Sequence, residues 1–147
     1  MKWSKGRGKL GLFKPLLGDW RAETQTDEIG KATCTRTFKK ALGNKYISLT
    51  ALWEYSGKNY EEWALFGTDK EKQIRFWSFT SDGKQSEGDL ADCSDIHPQA
   101  IGFQAQMDMG LARQVYWPDG EIGFNWVVES HTKKGWNRFV VHHYLPV

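Results

Sequence analysis

The chain has 147 residues, the usual size of one domain and long enough to bury a core without help from disulfides or metals. Hydrophobic residues make up 39% of the sequence and charged residues 26%, a composition that excludes intrinsic disorder. The formal net charge is only +2, so the charge balance gives no reason to expect a nucleic-acid partner. Eight tryptophans in a chain of this length indicate either a large core or a cavity lined by aromatic rings.

The N-terminal segment is basic and rich in glycine. Its charges are carried by Lys2, Lys5, Arg7 and Lys9. This pattern predicts a flexible, solvated arm over residues 1–9, followed by a single domain over residues 10–147. The arm does not lead into an apolar stretch with a cleavage site, and no window approaches the ~20 apolar residues of a membrane span. We therefore expect a cytoplasmic protein without a membrane span.

The two cysteines, Cys34 and Cys93, belong to no metal-ligand spacing and are expected to be reduced thiols. Cys93 lies in the segment 92–98, which also carries carboxylates and an imidazole. Because no spacing rule for a metal ion supports a site there, we interpret the segment as a polar loop bounded by Pro98.

From residue 10 onward, the sequence has the pattern of short β-strands separated by turns. Only the apolar stretch 10–17, interrupted by Pro15, is helix-like. Polar and apolar side chains alternate along the strands, and Gly, Asn, Asp and Pro mark the turns between them. The predicted strands, in chain order, cover residues 19–26, 31–38, 46–55, 60–67, 73–80, 86–91, 99–107, 111–117, 121–129 and 136–145.

About ten antiparallel strands must either expose two edges or close on themselves, and closure removes the edges that promote aggregation. We therefore predict an all-β fold: a closed antiparallel barrel of about ten strands, preceded by a short N-terminal helical turn. The diameter of a barrel grows with the number of strands, and about eight strands already leave room for side chains or one small ligand. A barrel of about ten strands should accordingly enclose a cavity.

The segment 16–20, Leu-Leu-Gly-Asp-Trp, resembles the Gly-x-Trp signature that opens the first strand of proteins in the calycin superfamily. In that superfamily the Trp packs against an Arg or Lys from a late strand and closes one end of the barrel. The resemblance therefore implies that Trp20 and Arg138 touch, as a cation–π pair that closes the barrel. Segments 63–69 and 74–83 also resemble a large, uncharacterised bacterial family of lipocalin-like domains. The overall layout is similar to that of nitrobindins and fatty-acid-binding proteins.

The residues that would contact a ligand follow from alternation along the strands. If Arg138 faces inward, Val140, His142 and Tyr144 do so as well, whereas His143 faces solvent or a neighbouring subunit, which is compatible with a homodimer. The predicted ligand-binding residues are Trp53, Arg75, Trp77, Trp126, Arg138, His142 and Tyr144.

Three classes of function fit these residues. The leading hypothesis is a binding or carrier protein for a hydrophobic or amphipathic small molecule, whose polar end is anchored by Arg75, Arg138, His142 or Tyr144. The second is a haem-based sensor or cavity enzyme, because the nitrobindin-like layout implies that a late histidine such as His142 could ligate haem iron. The third is a structural or interaction protein whose barrel is filled by its own side chains.

Overall fold

The computed structural model of the chain describes residues 3–28 and 30–147, so Lys2 of the predicted arm lies outside the described residues. Within that part of the chain, no helix has the length and apolar character needed to cross a membrane. A 3-10 turn at Gly11–Leu16 precedes ten strands. The strands are β1 (Gly18–Thr26), β2 (Gly30–Ala41), β3 (Tyr46–Tyr55), β4 (Lys58–Thr68), β5 (Ile74–Thr80), β6 (Gln85–Ala91), β7 (Ile101–Met107), β8 (Gly110–Asp119), β9 (Gly123–Thr132) and β10 (Gly135–Pro146).

The strands form one closed antiparallel barrel in which each pairs with its neighbours in the chain, and β1 pairs with β10 to complete the ring. The predicted fold class is therefore confirmed. The predicted strand bounds differ from the observed ones by at most three residues. One of the largest differences is in β2, which was predicted to end at residue 38 but continues through Lys39 and Lys40, paired with Ser48 and Ile47 of β3.

The 3-10 turn closes one end of the barrel. Phe13 is fully buried, and its ring centroid lies 5.0 Å from that of Phe66 and 6.0 Å from that of Phe103. The indole Nε1 of Trp20 donates a hydrogen bond of 2.7 Å to the carbonyl oxygen of Leu16. Trp20 thus fixes the turn to β1, and aromatic side chains fill this end of the barrel.

The N-terminal segment packs against the same closed end from Trp3 onward. The indole Nε1 of Trp3 donates a hydrogen bond of 3.0 Å to the carbonyl oxygen of Gln99, and its ring lies 6.5 Å from that of Phe124. The backbone N–H of Gly6 donates to the carbonyl oxygen of Gly11 at 2.7 Å. These contacts hold Trp3 against the barrel and Gly6 against the 3-10 turn, and the flexibility of the arm stays a prediction.

A loop between β6 and β7 covers the outer face of β8 and β9. Cys93 in this loop is buried against Val115 and Val127. Beside them, the guanidinium of Arg113 pairs with the carboxylates of Asp95 and Glu129, at 2.8 and 2.7 Å. This outer cluster attaches the loop to the barrel wall. The described residues contain no group of three or more His, Cys, Asp and Glu side chains suited to a metal ion.

Candidate functional site

The end of the barrel opposite the 3-10 turn contains a cavity of about 460 Å³. Its wall is mostly aromatic and aliphatic, with a few polar groups. The lining includes Trp53, Tyr60, Glu62, Phe76, Phe103, Ala105, Met107, Met109, Leu111, Ala112, Gln114, Trp126, Val128 and Val140. Cavities of this size and character hold small organic ligands in other proteins.

Two of the predicted ligand-binding residues, Trp53 and Trp126, line this cavity. Arg75 and Trp77 do not line it, contrary to the expectation from the sequence. Arg75 pairs with Asp89 and Glu87 on the outer face of β6, and Trp77 packs against Tyr46 outside the barrel.

The physical reason for these positions lies in β5, where aromatic side chains occupy both faces of the strand. The side chains that point inward are those of Ile74, Phe76 and Ser78.

The predicted contact between Trp20 and Arg138 is also wrong. Trp20 is level with Pro146 in the pairing of β1 with β10, whereas Arg138 is level with Glu129 near the other end of β10. Eight residues of β-strand separate these levels, which is roughly 25 Å at the usual rise per residue. Arg138 instead lies on the outer surface, where it pairs with Glu129 at 2.8 Å and its guanidinium lies over the ring of Trp117.

His142 and Tyr144 point into the barrel, as predicted, although Arg138 points out. A β-bulge between Arg138 and Val140 adds one residue and so reverses the alternation along β10. Both side chains are buried, and Nδ1 of His142 lies 3.0 Å from the hydroxyl oxygen of Tyr144. His142 and Tyr144 lie between the cavity and the closed end of the barrel and are not part of the cavity wall. Among the described residues, no histidine lines the cavity.

The surroundings of His142 favour its neutral form. Its ring centroid lies 4.9 Å from that of Trp53 and 5.1 Å from that of Trp126. Burial lowers the pKa of His142 to about 4, and the positive charge of Arg36 contributes in the same direction. Burial also raises the pKa of Tyr144 well above its usual value. At neutral pH both groups are therefore uncharged hydrogen-bonding groups.

Arg36 of β2 is one of two charged residues near the cavity that are absent from the predicted site. It is fully buried, and its guanidinium carbon lies 4.2 Å from the ring centroid of Trp126. Its Nη2 donates a hydrogen bond of 2.8 Å to the hydroxyl of Tyr116. Within the described residues, its Nε and Nη1 have no hydrogen-bond partner. The barrel therefore holds a positive charge directly behind the aromatic wall of the cavity.

Glu62 of β4 is the second missed residue, and it does line the cavity. The hydroxyl of Ser78 donates a hydrogen bond of 2.5 Å to its Oε2. Its Oε1 lies 3.8 Å from Nη2 of Arg36. This distance is an ion-pair contact but too long for a hydrogen bond, so Oε1 of the carboxylate keeps hydrogen-bonding capacity.

A signal for both residues was present in the alternation of their strands. Arg36 shares its face of β2 with the apolar side chains of Cys34 and Phe38, and Glu62 shares its face of β4 with Ala64 and Phe66. A charged side chain in phase with buried apolar neighbours is unusual on a half-buried strand. Arg36 and Glu62 both have this pattern in the sequence.

A scan of the chain against models of protein families found no match, and a search of the curated proteins found none either.

Proposed function

We propose that this protein binds a hydrophobic or amphipathic small molecule in the cavity at the open end of the barrel. The observation that carries the proposal is the aromatic and aliphatic wall of that cavity. The closed end is filled by the protein's own rings, including Phe13 and Phe103, whereas the open end leaves about 460 Å³ free. A ligand that fills this space removes apolar surface from water on both partners, which favours binding.

We also propose that the chain is a calycin-type barrel. Gly18 and Trp20 begin β1 directly after a 3-10 turn, as in the signature of that superfamily, and ten strands follow in a closed meander. The chain departs from the superfamily pattern in its arginine. Arg36, directly opposite Trp20 in the pairing of β1 with β2, is buried inside the barrel, whereas Arg138 lies on the outer surface.

A fluorescence titration with N-phenyl-1-naphthylamine, an uncharged apolar probe, tests the proposal. We expect the folded protein to enhance the fluorescence of the probe, and the enhancement to saturate as the titration proceeds. Ala105→Trp should weaken binding at least about tenfold, because Ala105 lines the cavity and an indole there fills it. Gln106→Trp is the matched control, since Gln106 is the next residue on β7 and is exposed on the outer face.

Ala112→Phe provides a second cavity-filling variant if the Ala105 variant fails to fold, because these two alanines face each other across β7 and β8. Native mass spectrometry of the freshly purified protein is an independent measurement, since a retained molecule would reveal its own mass. Equal probe binding by the wild type and both filled variants would contradict the proposal.

A further inference from the structure

Three aromatic rings stand at steep angles to one another on the cavity wall. The ring centroid of Trp53 lies 6.2 Å from that of Tyr60, with 73° between the planes, and 6.4 Å from that of Trp126, with 86° between the planes. All three side chains line the cavity. The face of an aromatic ring carries partial negative charge and attracts cations, so rings set in this way form part of a cage for a positive group.

A carboxylate lies in the same cavity. Glu62 follows Tyr60 by two residues on β4, so both side chains point into the barrel. Its side chain is 23% exposed, whereas that of Arg36 is completely buried. The hydrogen bond from Ser78 holds Oε2 of Glu62 in place. A ligand entering the cavity therefore meets the negative member of the Glu62 and Arg36 pair.

The other charges nearby do not reverse this polarity. Arg36 is not part of the cavity lining, and it already covers the ring of Trp126, which leaves Trp53 and Tyr60 to contact a ligand cation. Arg113 borders the cavity, but its guanidinium belongs to the outer cluster with Asp95 and Glu129. Among the described lining residues, Glu62 is the carboxylate that a ligand can reach.

Building on the proposed function, we infer that the ligand is a cationic amphipath whose ammonium group binds between Glu62, Trp53 and Tyr60. Its apolar part extends along the aliphatic and aromatic wall near Phe76 and Val128. Aromatic rings combined with a carboxylate recognise alkylammonium groups through cation–π attraction and charge pairing. A carboxylate ligand of the same shape would be repelled by Glu62 at this position.

The test compares three probes with the same apolar chain: dodecyltrimethylammonium, dodecanol and dodecanoate, all used below their micellar concentrations. Each competes with N-phenyl-1-naphthylamine for the wild-type protein. We expect dodecyltrimethylammonium to bind at least about tenfold more tightly than dodecanol, and dodecanoate to bind most weakly.

Glu62→Gln should remove most of the preference for the ammonium probe and leave the affinity for dodecanol nearly unchanged. Glu61→Gln is the matched control, because Glu61 is the adjacent residue on β4 and is exposed on the outer face. Tyr60→Leu should lower affinity for the ammonium probe more than affinity for dodecanol. The thermal unfolding of each variant checks that the barrel is intact.

Two results would overturn the inference while leaving the proposed function standing. One is equal binding of all three probes with no effect of Glu62→Gln. The other is tightest binding of dodecanoate together with its loss in Arg36→Met, which would make Arg36 the anchor of an anionic ligand. If neither the fluorescent probe nor any dodecyl compound binds, the proposed function fails and the inference fails with it.

Discussion

Arg36 and Trp126 stack inside the barrel, with the guanidinium carbon 4.2 Å from the centroid of the indole ring. Two of the guanidinium nitrogens have no hydrogen-bond partner in the part of the chain that the structure describes, although the side chain is completely buried. Burying a charge carries a desolvation cost, which the contacts to Trp126, Tyr116 and Glu62 must offset. Substitutions at Arg36 can therefore separate two contributions to stability, the volume that the side chain fills and the charge that it carries.

We predict that Arg36→Ala lowers the free energy of unfolding by about 3 kcal/mol, because it leaves a void among the buried rings. Arg36→Met should lower it by about 1 kcal/mol or less, because methionine fills most of the volume and removes the cost of burying the charge. Urea denaturation of both variants measures the difference. Equal losses in the two variants would show that the charge, rather than the volume, stabilises the barrel.

The second prediction concerns the dependence of stability on pH. Burial lowers the pKa of His142 to about 4 in the folded protein, against an ordinary value of 6.5 for a histidine side chain. As the pH falls, His142 therefore takes up a proton in the unfolded chain before it does so in the folded protein. The stability that comes from neutral His142 is lost as the pH falls from about 6.5 to about 4. The shift corresponds to about 3 kcal/mol.

The measurement compares variants, because carboxylates also titrate in this range. Between pH 7 and pH 4, the free energy of unfolding should fall more for the wild type than for His142→Gln. His143→Gln is the control, since His143 is the neighbouring residue and its side chain is exposed on the outer surface. Parallel curves for the wild type and His142→Gln would contradict the prediction.

Both cysteine thiols should resist modification in the folded protein. Burial raises the pKa of Cys34 to about 11 and also raises the pKa of Cys93. Because the thiolate is the reactive form, we expect Ellman's reagent to react with both thiols in denaturant but with neither in native buffer over several minutes. Thr50→Cys adds a thiol on the exposed outer face of β3 and should react at once. Rapid reaction of the native wild type would contradict the burial of these residues.

The loop that covers β8 and β9 depends on the absence of a side chain at Gly102. A Cβ atom there would lie 2.2 Å from Sγ of Cys93. We expect Gly102→Ala to lower the free energy of unfolding by about 2 kcal/mol through overpacking. Adding Cys93→Ala should recover at least about 1 kcal/mol, because the double variant removes the 2.2 Å contact with Sγ and leaves the Cβ of residue 93 at 3.0 Å. Strictly additive losses would show that the strain arises elsewhere.

The outer ion pairs should contribute unequally to stability. Glu129 is buried between Arg113 and Arg138, and its removal would leave Arg113 with only part of its charge compensated. We expect Glu129→Ala to cost about 3 kcal/mol in denaturant unfolding, and Arg138→Ala to cost about 1 kcal/mol because Arg138 is partly exposed. A larger loss for Arg138→Ala than for Glu129→Ala would contradict this ranking.

The sequence predicted the strands well because turn residues and alternation act locally. It predicted the inward side chains less well, because one extra residue in a strand reverses every later assignment. In β10 the assumption that Arg138 points inward was wrong, and the bulge before Val140 was not foreseen. These two errors cancelled, so His142 and Tyr144 were placed on the correct face for an incorrect reason.

Alternation in β5 could not decide between its two faces, because Phe76 and Trp77 are both aromatic. Contacts with neighbouring strands decide which face of β5 points inward. Phe76 packs against Phe66 and Phe103 in the interior, whereas Trp77 packs against Tyr46 on the outer surface. Such choices depend on tertiary contacts that a single strand does not encode. The same is true of Glu62, whose partners Arg36 and Ser78 come from two other strands.

The seam between β1 and β10 has a consequence for how the chain folds. Along most of its length β1 pairs with β2, but β10 meets it at Trp20 opposite Pro146 and at Arg21 opposite Leu145. These pairs join the two ends of the chain, so the entropy of closing a very long loop opposes their formation until the intervening hairpins exist. We expect the seam to form after the hairpins and to open first, with amide hydrogens there exchanging faster than those between β2 and β3.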